Sequence, residues 1–208
     1  MAKLSVELDR YFFQEDRQAK VKLADILSIA GERIFGFLFV VLALPSALPI
    51  PAPGYSIPFA IVLFLLAVQL ISGRKRPWLP VRMMNQSIKL QTAQGIVKSG
   101  IPWLKRIEAV TKPRYAYLCT SLPGRVALGV AIACMSVSMM IPIPGTNTLP
   151  AMGIFITGVG LSEDDGVISL GGLIFCVLVL GLMASVILAA VYGGTSLIDS
   201  LKEWLKNI

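Results

Sequence analysis

Three stretches of the chain, Ile34–Gly73, Val126–Ser162 and Gly166–Ile198, contain no charged residue. Each exceeds the roughly 20 residues that an apolar helix needs to cross a hydrocarbon layer. A soluble domain carries about a quarter charged residues to clothe its surface, whereas this chain of 208 residues is 15% charged and 55% hydrophobic. The sequence therefore predicts an all-α integral membrane protein, multi-pass, built as one membrane domain. The first twenty residues mix acids with bases and hold no apolar core before a small-residue cleavage site, so they read as mature chain rather than a signal peptide.

The first uncharged stretch is interrupted by "PSALPIPAPGYSIP", five prolines in fourteen residues. Proline removes a backbone donor and clashes with the preceding turn, so the stretch predicts helix, break, helix. The second uncharged stretch repeats the pattern around "PIPGTNTLP". Pro49-Ile50-Pro51 matches Pro142-Ile143-Pro144, Ile57-Pro58 matches Leu149-Pro150, and Val68-Gln69-Leu70 matches Val159-Gly160-Leu161. That spacing predicts two pseudo-repeated hairpins, residues 34–73 and 126–162, with breaks at Pro49, Pro51, Pro53, Gly54 and Pro58, and at Pro142, Pro144, Gly145 and Pro150. Arms of about 15 residues are roughly 22 Å long against a hydrocarbon thickness of about 30 Å. The hairpins are therefore expected to be re-entrant, or short tilted spans of the same parity. Either an inverted or a parallel relation between them fits the sequence.

Residues 1–33 hold six basic and six acidic residues, and the span 74–125 holds eleven basic residues and one acid, Glu108. That middle segment carries the whole excess of positive charge. It predicts a cytoplasmic loop by the positive-inside rule, with Arg74, Lys75, Arg76 and Trp78 at the lipid headgroups. No nucleic-acid motif accompanies the charge. Residues 4–30 read as an amphipathic surface helix closed by Gly31, and the middle segment as two interfacial helices joined near Gly100 and Pro102.

The last segment, 163–208, reads as an acidic turn "SEDDG", a long transmembrane helix, and a short amphipathic helix anchored by Trp204. Glu163, Asp164 and Asp165 are expected to form a solvated turn capping the long helix. Gly181, Ser185, Ala189 and Gly193 form a four-residue stripe of small side chains, suited to packing within the bundle or to a homodimer face. With both hairpins returning to their own side, the C-terminus would lie outside.

The chain has no histidine, and Cys119, Cys134 and Cys176 lack metal-like spacing. No metal, cofactor or catalytic residue is predicted, and an enzyme is not expected. The polar groups nearest the breaks are Tyr55, Ser56, Thr146, Asn147 and Thr148, with Gln69 alone in its arm. Half-helix ends in a membrane can hold an anion or a polar solute, so these six are the candidate substrate-binding residues. The competing reading is that the groups at the boxes satisfy backbone freed by the prolines, and that Gln69 makes an interhelical hydrogen bond.

The ordered set "PIPAPG…IP", "GRKRPWLP", "PIPGTNTLP" and "GLSEDDG" resembles the ExoD family of bacterial exopolysaccharide synthesis proteins. Gly73–Pro80 is similar to the family's basic loop, and Pro142, Pro144, Gly145, Asn147 and Pro150 to its second box. Glu163, Asp165 and Gly166 match its acidic turn, with Asp164 where a basic residue is common. The resemblance implies an inner-membrane protein of exopolysaccharide synthesis or export. Two roles follow as expectations: a small transporter-like protein, or a scaffold or regulator among polysaccharide-assembly proteins. Membrane lipids are the expected environment in both.

Overall fold

The computed structural model describes residues 31–47, 56–78, 111–141 and 147–206 without a break, with short pieces between 6 and 22 and between 87 and 109. The long helices are α1 (Ile34–Ala47), α2 (Ser56–Ile71), α4 (Leu122–Met140), α5 (Thr148–Ser162) and α6 (Gly166–Lys206), with a single turn, α3, at Tyr117–Thr120. Strands β1 (Lys20–Lys22) and β2 (Ser87–Lys89) pair antiparallel, Val21 opposite Ile88. The chain is thus overwhelmingly helical.

Two of these helices are long and apolar enough to cross a membrane: Leu122–Met140 and, within α6, Gly166–Ser185. The arms are unequal, because α4 begins before the uncharged stretch. Ser121 caps it by accepting from the Gly124 N–H at 3.3 Å, and Pro123 sits in the first turn, where its missing N–H costs no ladder bond. Pro58 and Pro150 are likewise each the third residue of a helix. They start α2 and α5 rather than break anything, since the first N–H groups of a helix have no intrahelical acceptor. Helix α1 also runs on through Pro45 to Ala47. The rest of the two boxes, 48–55 and 142–146, lies outside the described residues, with Pro49, Pro51, Pro53, Gly54, Pro142, Pro144 and Gly145.

The main helix pairs are not between neighbours along the chain. Helix α1 lies chiefly on α5, and α2 on α4, while α1 touches α2 far less. Both main pairs are antiparallel. Gly36 near the start of α1 meets Ser162 and Gly158 near the end of α5, and Gly129 near the start of α4 meets Ile71 and Ala67 near the end of α2. Helix α6 runs back along α5, with Ser169 facing Gly160, Gly172 facing Thr157, and Cys176 facing Gly153. The starts of α1, α4 and α6 and the ends of α2 and α5 therefore share one end, and the ends of α1 and α4 and the starts of α2 and α5 share the other.

Contacts of this closeness suit a lipid setting. Between helices in lipid no hydrophobic gain drives association, so packing and small residues must. A Cβ on Gly36 would lie 2.3 Å from the Ser162 N, and one on Gly160 2.5 Å from the Ser169 N. Around these contacts Phe39, Leu63, Leu66, Leu128, Ile132, Met135 and Ile154 are fully buried.

Several local expectations are corrected. Residues 4–30 do not form one amphipathic helix: a π-turn covers Arg10–Gln14 and Lys20–Lys22 is strand. The basic segment is not purely helical, since Ser87–Lys89 supplies the partner strand. The register sets Lys20 opposite Lys89, Val21 opposite Ile88 and Lys22 opposite Ser87. The C-terminal amphipathic piece is not a separate helix. Helix α6 is continuous over 41 residues, about 60 Å at 1.5 Å per residue, because neither Gly193 nor Gly194 is followed by a proline to stop it. Gly181 and Ser185 face outward, and a Cβ at Gly181 would meet no atom within 4 Å. They do not pack inside the bundle. The side chains at Ala189 and position 193 lie outside the described residues.

Candidate functional site

At the connection end, the α5 N-terminus presents Asn147 and Thr148, both half-buried. Asparagine is a favoured N-cap because its side-chain oxygen can accept from the first turn. Here it does not: Asn147 is helical at φ −74° and makes no capping bond. Its Oδ1 is instead buried with no hydrogen-bond partner among the described residues. Antiparallel packing of α1 on α5 brings Ser46, 4% exposed, towards the same level, and its Oγ is also buried without a partner among them. This differs from Ser136 and Thr157, whose hydroxyls donate to carbonyls one turn back at 2.8 Å. A buried polar group left unpaired costs about 1–3 kcal/mol; the Thr111 hydroxyl, at the opposite end, is another such group among the described residues.

Ser46 is absent from the sequence-derived set, because a serine inside an apolar run usually bonds its own helix. Tyr55, Thr146 and the Ser56 side chain lie outside the described residues. Gln69 belongs elsewhere. Its Nε2 donates to the Trp78 carbonyl at 3.3 Å and its Oε1 accepts from the Trp78 N–H at 2.5 Å. From there to the α5 start is roughly 18 Å along α4, at 1.5 Å per residue. Gln69 fixes the loop that carries Arg74, Lys75 and Arg76, which are all exposed.

The opposite end is held by charge. Arg33 faces Glu163 at 3.9 Å. Arg125 donates from Nη2 to the Arg74 carbonyl at 2.5 Å and lies 5.9 Å from the centre of the Phe35 ring. Asp165 is 2% exposed. Its Oδ1 accepts from the Val167 and Ile168 N–H groups at 3.0 and 3.3 Å, and its Oδ2 from Lys112 N–H at 2.9 Å. The acidic turn caps α6 as expected, but it is not solvated. It docks on the tail of the basic segment, where the Gly166 N–H also donates to the Arg114 carbonyl at 2.6 Å.

Behind that turn, the Cys119 Sγ lies 3.2 Å from the Ser169 Oγ and 3.6 Å from the Gly160 carbonyl. Burial pushes its thiol up from 9.0 to about 11; the Ser169 hydrogen bond opposes this, and the Asp164 and Asp165 charges add to it. A thiol reacts as its thiolate, so at pH 8 only about one Cys119 in a thousand is reactive. With Cys134 and Cys176 replaced by serine, maleimide labelling of the folded protein should be far slower at pH 8 than labelling of the unfolded chain at the same pH. Rapid labelling at pH 8 would show that the thiol is not held as described.

No group of His, Cys, Asp and Glu suited to a metal ion occurs among the described residues. The chemistry on offer is hydrogen bonding at one end and charge at the other.

The model of the ExoD family, described as exopolysaccharide synthesis, matches residues 4–185. Over 206 residues, 99% of this chain and 97% of the relative, the chain is 57% identical to the uncharacterized protein slr1875 of Synechocystis sp.. Over 162 residues, 76% of this chain and 66% of the relative, it is 30% identical to Protein ExoD of Rhizobium meliloti. No solved structure matches. The match runs from the N-terminal segment through both hairpins and the membrane-length part of α6, so the helices, the charged end and the connection end all fall within it: the chain belongs to the ExoD family of exopolysaccharide synthesis proteins.

Proposed function

We propose that this protein is a component of the bacterial inner membrane, and that it serves exopolysaccharide synthesis or export through a polar, transporter-like site where its two hairpins turn. The observation that carries the site is the pair of buried, unpartnered oxygens, Ser46 Oγ and Asn147 Oδ1. In an apolar layer such groups are expensive and mark solute paths more often than surfaces do.

A duplication underlies the arrangement. Gly129 follows Gly36 by 93 residues, as Pro142 follows Pro49; Gly158 and Ser162 follow Ala67 and Ile71 by 91. The contacts obey the same offsets, for Gly36 meets Gly158 and Ser162 while Gly129 meets Ala67 and Ile71. Both second arms also end alike. Arg74 N–H donates to the Gln69 carbonyl and Asp165 N–H to the Gly160 carbonyl, five residues back. Between them Gly73 (φ 72°) and Asp164 (φ 51°) take the left-handed conformation that closes a helix. These relations support two parallel repeats about an axis along the helices, each entering and leaving at the charged end.

Along α6 the connections lie level with about residue 182, roughly 24 Å from its start. In a layer about 30 Å thick, hairpins of this depth pass the midplane and stop just short of the far face. The polar site then opens to the side opposite the basic loop.

The test replaces Ser46 and Asn147 by alanine, singly and together. Exopolysaccharide output should fall at least several-fold in the double variant while protein level and melting temperature hold or rise, since each change removes an unpaired buried group. In a background without native cysteines, Asn147→Cys should react with a membrane-impermeant maleimide only from the face opposite Arg74. Unchanged output would favour the second reading, a scaffold among polysaccharide-assembly proteins. That reading draws on α6, which exposes Leu170, Ile174 and Val177 beside Gly181 to a neighbouring copy or to lipid.

A further inference from the structure

We propose that the charged end of the bundle is a binding surface for the phosphate groups of anionic membrane lipids. The inference is independent of the solute site and needs only that the bundle sits in a bilayer.

The ionic groups at this end divide into two sets. One set is spent on the fold: Arg33 on Glu163, Arg125 on the Arg74 carbonyl and the Phe35 ring, and Asp165 on three backbone N–H groups. The other set is Arg74, Lys75, Arg76, Lys112 and Arg114, all exposed and all without an ion pair among the described residues. Among the described acids of the turn none is exposed: Asp165 is 2% exposed, the Glu163 side chain 11%, and Asp164 is half-buried. Among the described residues the outward face is therefore cationic.

The cations are also held in place. The carbonyls of Arg74 and Arg114 accept from Arg125 and Gly166, the Lys112 N–H is tied to Asp165, and Gln69 grips Trp78 from both sides of its amide. The backbones of Arg74, Lys112 and Arg114 are pinned, and Lys75 and Arg76 lie between the pinned Arg74 and Trp78. Pinning lowers the ordering cost of binding. Trp78, Tyr115 and Tyr117, at 64%, 82% and 76% exposure, interleave with them. Amphipathic rings among long cations match the headgroup region, where phosphates meet glycerol and acyl chains. A soluble polyanion would use the charges but leave the rings and the 60%-exposed Leu122 without a partner.

The test uses the full chain reconstituted in phosphatidylcholine vesicles containing brominated phosphatidylglycerol or brominated phosphatidylcholine. Trp103→Phe and Trp204→Phe leave Trp78 as the sole tryptophan reporter. Phosphatidylglycerol should quench Trp78 with at least about tenfold selectivity at low salt, because each cation near such a surface adds about 1 kcal/mol. Raising NaCl to about 0.5 M should weaken the selectivity. The variant R74Q/K75Q/R76Q should lose most of it. K112Q/R114Q, which leaves the loop that sets topology intact, should show a smaller loss in the same direction. Equal quenching by the two lipids, or full selectivity in both variants, overturns the proposal. So does loss of selectivity on adding inorganic phosphate at fixed ionic strength, which would make a free anion the ligand.

Discussion

Replacing Gly36 by alanine should remove most of the protein's thermal stability, although it adds one methyl group. The new Cβ would sit 2.3 Å from the Ser162 N and 2.8 Å from the Gly158 carbonyl oxygen, both backbone atoms of α5. A side-chain tip could swing away, but helix backbone cannot, so α1 and α5 must part. Overpacking typically costs about 1–3 kcal/mol, more where nothing yields; here about 3 kcal/mol or more is expected. Gly129→Ala should be milder, since its Cβ first meets the flexible Ile71 Cγ1 at 2.7 Å and a carbonyl only at 3.3 Å. Gly181→Ala, with no atom within 4 Å, should be neutral or slightly stabilising through helix propensity. Melting temperatures in detergent would rank the three. A Gly36→Ala protein as stable as Gly181→Ala would show that α1 and α5 do not meet as described.

That ranking marks what a sequence of this kind discloses. The uncharged stretches, their proline interruptions and the family motifs are local patterns, and they led to helical hairpins, a long last helix and the ExoD family. The partner of each arm was not legible, because Gly36 and Gly129 look like any glycine in an apolar run until the opposing backbone is in place. Gln69 shows a related limit. A lone amide in a membrane helix suggests an interhelical hydrogen bond or a ligand contact, whereas Gln69 stands two residues before the end of α2 and reaches forward to Trp78. Ser46 was overlooked because its distinction is a missing hydrogen bond, which no residue type announces. The β-ribbon also escaped, as its two short strands are about 70 residues apart and become strands only by pairing.

The acidic turn shows the same limit from the other side. Its residue types pointed to a helix cap, but not to burial, and burial changes what the carboxylate is worth. Asp165 satisfies three N–H groups belonging to two segments: the first turn of α6 and Lys112 at the end of the basic segment. Hydrogen bonds to a charged group contribute about 1.5–3 kcal/mol each, and a lost cap alone about 1. Asp165→Ala strips all three from donors already withdrawn from water, so a loss of about 3–4 kcal/mol is expected. Asp165→Asn separates the two jobs. Its amide oxygen can still accept from Val167 and Ile168, but its NH₂ then faces the Lys112 N–H, donor against donor. The Asn variant should therefore keep the start of α6 and release Lys112, at a cost of about 1–2 kcal/mol, while Arg114 stays on the Gly166 N–H. Hydrogen exchange would check this: in Asp165→Asn the Lys112 amide should exchange far faster while Val167 and Ile168 stay protected. If Lys112 stays protected as well, the carboxylate is not what joins the basic segment to the bundle.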